Sequence, residues 1–192
     1  MQSPRRSKRP SLPSHPMLAL AAAVIASLGW AVIVVAQAPP PVAPRLTPQD
    51  RSTLQRLHDG DQVQIQLGQL AKEKGASKAS RDLGKQLIAD HEAVEAQLDV
   101  HMKKRGSDIK SLASTTSVDA DHDLLATKSG TDFERAFGLQ VVTDQQKLID
   151  LLESARIETA DDELRAIYDA LLPTLRKHMT AARDIVAGSV RS

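Results

Sequence analysis

The 192-residue chain predicts an all-helical fold, a bundle of four long helices. Three observations lead there. After residue 46, apolar residues recur at three- and four-residue intervals in four separate stretches, the period of an amphipathic helix. Capping residues and glycines punctuate those stretches. No stretch shows the two-residue alternation of a half-buried strand.

In chain order, residues 1–38 come first. Arg5, Arg6, Lys8 and Arg9 precede an uncharged apolar run over 17–36. A basic segment followed by an apolar run is the pattern of an export signal. Ala36-Gln37-Ala38 resembles a cleavage site, although Pro39 follows it; Val34 and Ala36 offer an alternative cut before Gln37. The run is also long enough to span a bilayer. A cleaved signal and an uncleaved anchor, tethering the chain through 17–36, both remain open. Either places the rest of the chain outside the cytoplasm, in the periplasm or otherwise extracytoplasmic, with the basic end inside. Residues 39–46, PPPVAPRL, form a stiff Pro-rich spacer.

The domain proper is expected over 47–188. Thr47 can cap the first helix, with Pro48 at its first position and Asp50 suited to the helix dipole. It is expected to run to about Lys74 and end at Gly75. The second helix spans about 77–105 and stops at Gly106. The short connection makes the two antiparallel. Residues 107–130 are polar, with a short helix expected over 119–127. The third long helix is expected to open with Thr131 and Glu134 in capping-box spacing and to reach about Arg156. The fourth is expected to open near Thr159 with Asp162 three positions on, and to reach about Ala187, bent or restarted at Pro173. Helices of this length extend about 40 Å, a distance that some 24 connector residues cross easily. Two antiparallel hairpins joined by one long crossover make the ferritin-like arrangement.

Composition narrows the function. Lys and Arg number 25 against 24 Asp and Glu, and residues 1–38 hold four of the basic residues and none of the acidic. The remainder therefore carries 21 basic against 24 acidic residues, a net of −3. A mildly acidic surface does not suit nucleic acid, which needs phosphate neutralisation. After Trp30 the aromatics are Phe133, Phe137 and Tyr168, too few for base stacking. Cysteine is absent, which excludes disulfides and thiolate chemistry. No phosphate loop or nucleophilic triad is discernible.

The candidate site is a set of polar residues within the apolar stripes. Leu83, Leu87, His91, Val94 and Leu98 share one face of the second helix. Leu171, Leu175, His178, Ala182 and Ile185 do so in the fourth. Phe137, Val141, Asp144, Leu148 and Leu151 place Asp144, with its neighbour Gln145, in the third. Gln64 falls in one column with Leu57 and Ala71 in the first. A buried carboxylate needs partners, and His91 and His178 are the expected donors to Asp144. Asp61, one turn before Gln64, is placed to extend this layer but is expected at the surface; His58 and His122 are read as solvated, and His101 as a rim residue. His15 has no ligand context. Gly68 and Gly84 are read as sites of close helix packing.

Four stretches, QIQLGQLAKEKGAS, LGKQLIADHEAVEAQL, SGTDFERAFGLQVVTDQQKLIDLLESA and LLPTLRKHMTAA, occur in this order. Together they resemble the exported bacterial domain-of-unknown-function family 4142 over roughly residues 50–186. The resemblance implies a ferritin-like four-helix bundle at the cell envelope and no established reaction. The family usually has Glu where Gln64 stands and His where Gln145 follows Asp144; His91 and His178 are kept.

Two functions follow as expectations. The first is an exported structural, binding or stress-related module that is not an enzyme, whose polar layer fixes helix register. The second is a metal-binding protein using His91, Asp144 and His178, with Gln64 or Gln145 nearby. Zinc or copper suits imidazole better than iron suits so few carboxylates. A di-iron centre needs Glu-x-x-His, and Ile88 and Leu175 stand three residues before the two histidines.

Overall fold

A computed structural model describes residues 45–112 and 119–190, with the backbone alone given for 119–122. The expected signal or anchor, most of the Pro-rich spacer, His15 and the side chain of His122 lie outside the described residues. Among the described residues there is no strand and no helix long and apolar enough to cross a membrane.

Helix α1 spans Pro48–Lys74, α2 Lys78–Lys103, α3 Asp119–Ala126, α4 Gly130–Glu158 and α5 Asp162–Ser189, with a single 3-10 turn at Ile109–Ser111. The first cap is the expected one: Thr47 Oγ1 accepts from Asp50 N at 3.0 Å, and the Asp50 carboxylate takes the Thr47 N–H in return. Gly106, at φ 70°, turns the chain out of α2 as a residue with a Cβ would not readily do.

Three boundary expectations are corrected. Ser129 stands at the N-cap of α4, so Thr131 is already helical, and Glu134 reaches across to the Ser77 amide instead of closing a local box. Asp161, not Thr159, caps α5, accepting from Glu163 N at 3.0 Å and Leu164 N at 3.2 Å; Thr159 instead ends α4. Helix α5 continues unbroken through Pro173, which lies on the solvent face.

Cross-helix pairs fix the directions. Gln62–Glu95 and Gly68–Gly84 set α1 antiparallel to α2. Gln49–Glu158 and Gln64–Gln145 set α1 antiparallel to α4. Asp90–His178 and Lys104–Glu163 set α2 antiparallel to α5, and Glu153–Arg176 and Gly138–Ala182 set α4 antiparallel to α5. Helices α2 and α4 therefore run parallel on one diagonal. The connector makes this possible: Ile109 and Leu112 pack at the far end of the bundle, and Leu125 packs near the start of α4. This is the ferritin-like four-helix arrangement with its long crossover.

The apolar interior has two parts. One includes Leu54, Leu57, Leu98, Met102, Leu152 and Tyr168; the other includes Leu67, Leu87, Phe133, Phe137, Val141 and Ala182. On every long helix the residue between the two parts is polar. The bundle has a polar waist, built by α1, α2, α4 and α5.

Candidate functional site

The waist is made of Asp61, Gln64, His91, Gln145 and His178, all buried. His91 is its hub. Its Nδ1 lies 2.6 Å from Asp61 Oδ1, and its Nε2 lies 3.2 Å from Gln145 Nε2. Gln145 Nε2 also donates to Gln64 Oε1 at 3.0 Å. One protonation pattern satisfies all three contacts: neutral His91 donates through Nδ1–H and accepts at Nε2 from the amide. Burial pushes the His91 imidazole down to about 4, against the opposing pull of the Asp90 and Glu95 charges. The His178 ring packs against His91 with centroids 5.6 Å apart and planes tilted by 40°. His178 Nε2 meets Asp90 Oδ2 at 2.8 Å, and burial lowers its affinity for a second proton.

Asp144 is not part of this layer. It sits partly exposed in the groove between α1 and α4, accepting from Gln140 Nε2 at 2.8 Å and pairing with Lys147 Nζ at 3.1 Å. The inward column of α4 passes through Phe137, Val141, Gln145, Leu148 and Leu152, one residue round from the expected column. One residue is about 100° on a helix, enough to exchange Asp144 for Gln145. The expected bonds from His91 and His178 to Asp144 are accordingly replaced by bonds to Asp61 and Asp90.

Asp61, expected at the surface, is 1 % exposed and is the buried carboxylate of the site. Burial holds its carboxyl well above the usual range, although hydrogen bonding to Glu95 and the nearby His58 pull the other way. Its three-residue spacing from Gln64, which offers an extension of the polar layer, does place it on the inner face. His58 is not solvated either: its Nδ1 meets Glu95 Oε2 at 2.7 Å, and both side chains are mostly covered. His101 does lie near a helix end, but buried, with Nε2 3.3 Å from Asp161 Oδ2 and Nδ1 3.5 Å from Glu163 Oε2. The Arg105 guanidinium covers it, 2.6 Å from Asp161. Burial, then the Arg105 charge, lowers the His101 affinity for a proton. This cluster latches the end of α2 to the start of α5.

The donor set does not match a carboxylate-rich metal centre. Both His91 nitrogens are engaged by protein groups, the two amides are neutral, and Asp144 is elsewhere. Among the described residues, no three His, Cys, Asp or Glu side chains converge on one point as metal ligands. The arrangement is that of a hydrogen-bonded layer between helices.

A four-helix bundle with such a waist defines a class, not an activity. The chain matches the family described as Domain of unknown function (DUF4142) over residues 35–185, and belongs to that family. No curated protein and no solved structure matches it.

Proposed function

We propose that this protein is an extracytoplasmic helical module, released or tethered at the envelope, with a structural or binding role and no catalysis of its own. The basic segment and apolar run before residue 37 support the placement. The observation that carries the role is the double engagement of His91, whose two ring nitrogens are held by Asp61 and Gln145. A polar layer tied to one hub specifies one helix register, because any slip takes His91 away from Asp61 and Gln145 and strands all three.

Metal binding is the second reading, and one observation favours it: His178 Nδ1 is buried without a hydrogen-bond partner. Thermal unfolding separates the two. The full chain, purified without a His-tag and stripped with chelator, is titrated with zinc, copper and ferrous iron. The structural reading expects no change in melting temperature beyond that of a His91→Leu, His178→Leu control. A metal present at about 100 times its Kd would add about 2.7 kcal/mol of stability. A rise of that order, lost in the control, refutes the structural reading. A periplasm-specific reporter fused after Ser192 tests the placement; reporter activity confined to the cytoplasm refutes it.

A further inference from the structure

A line of titratable side chains runs from the half-buried seam between α1 and α2 to the waist. His58 Nδ1 meets Glu95 Oε2 at 2.7 Å, and Gln62 Nε2 donates to the same oxygen at 3.3 Å. Asp61 stands between His58 and Gln62 on α1, which both meet Glu95, and it bonds His91, one helical turn before Glu95, so the two carboxyls are neighbours in the seam. Asp61 Oδ1 then meets His91 Nδ1 at 2.6 Å. Each carboxyl therefore spends one oxygen on a histidine. Each also has a second buried oxygen, Asp61 Oδ2 and Glu95 Oε1, with no donor. Two carboxylates cannot hydrogen-bond one another, whereas an acid and a carboxylate can.

We propose that Asp61 and Glu95 form a buried acid–carboxylate pair that holds one proton between them at neutral pH, with His58 as its contact with solvent. One proton placed there supplies both orphan oxygens together. It also removes one of two like charges from a site with little water to screen it. The line suits a proton rather than a metal ion, since each group meets its neighbours in sequence and no three converge.

The surrounding charges agree with this state. On α1, His58 faces the pair; on α2, His91 lies beyond Asp61, with Asp90 next to it. Helix α5 contributes His178 behind His91, and α4 contributes the neutral amide of Gln145. Lys147 of α4 is engaged by Asp144 on the outer groove. Among the described residues, no Lys or Arg is paired with either carboxyl. Burial, then the Asp61 charge, pushes the Glu95 carboxyl up to about 7. Losing the shared proton leaves two anions in the α1–α2 seam, so the packing of this hairpin responds to ambient pH.

The test is a carbon-13 NMR titration of the full chain labelled at Asp and Glu carboxyls. The Asp61 and Glu95 resonances should move in one common step near neutrality. In Asp61→Asn, which removes the second anion but not the burial, Glu95 should lose the common step and titrate at lower pH, still above its ordinary range. Independent titration of both groups below about pH 5 overturns the proposal. Should Asp61→Asn fail to fold, infrared spectroscopy of the unaltered chain decides. A neutral carboxylic-acid band at about pH 6, shifted by the label and disappearing by about pH 9, supports the shared proton; its absence at about pH 6 overturns it.

Discussion

Replacing Gly84 by alanine should destabilise the domain, and replacing Gly188 by alanine should not. Gly84 faces Gly68 where α1 and α2 cross. A Cβ on Gly84 would stand 2.7 Å from Gly68 O, 3.0 Å from Ala71 Cβ and 3.0 Å from Lys72 N. Two of these three atoms are backbone, so no rotamer change relieves the contact. The hairpin must open by a few tenths of an ångström, and it must do so beside the waist, where His91 and Asp61 depend on the same spacing. Overpacking of this kind costs about 1–3 kcal/mol. Alanine returns about 1 kcal/mol through its better helix propensity, so the net loss should reach up to about 2 kcal/mol. At Gly188, also within a helix, a Cβ meets nothing within 4 Å. Only the propensity gain operates there, reduced at a fraying end to a few tenths of a kcal/mol. Urea unfolding of both variants gives the two signs directly, with the slope checked for constancy. A gain of about 1 kcal/mol in Gly84→Ala, the full propensity term with nothing against it, would show that the helices are not in close contact and would refute the argument.

Three further outcomes are expected. Asp61→Ala leaves the buried His91 Nδ1–H without an acceptor and should cost about 3 kcal/mol, whereas Asp144→Ala, on the outer groove, should stay within about 0.5 kcal/mol; urea midpoints that reverse this order would return Asp144 to the waist. Glu95 has a folded value raised to about 7 from an ordinary 4.5, so its contribution is fully present below about pH 4.5 and is lost as pH rises through about 7. The gain in stability of Glu95→Gln over the unaltered chain should therefore grow across that window, by about 2 kcal/mol after allowance for solvent screening; melting temperatures from about pH 4 to 8 check it, and the depressed His101 and His178, which act in the opposite direction and owe nothing to Glu95, cancel in the difference. Asp161→Ala removes the α5 cap and one of the two carboxylates on Arg105, leaving Glu163, and should cost about 2–3 kcal/mol; a loss below about 1 kcal/mol in calorimetry would mean that the latch is solvent-screened.

Four amphipathic stretches, the Thr47 cap, the Gly106 stop and the length of the connector were enough to determine a crossover bundle, because helix period and chain reach are local properties of a sequence. The same reading found His91, His178, Gln64 and Gln145, since each interrupts an apolar column. It misplaced Asp144 for a reason that lies in the helix period. A stripe read from spacing carries an angular uncertainty of about one residue, about 100° on the helix, and Asp144 and Gln145 are adjacent. Which of them turns inward is decided by how α4 meets α1, through Gly60 against Leu148 and Gln145 against Gln64. The pairing of carboxyls across α1 and α2 is likewise a property of two helices in register. Sequence determined which residues interrupt the core; the packing of one helix on another decided which carboxylate is buried with His91, because burial and charge are shared between elements that are distant along the chain.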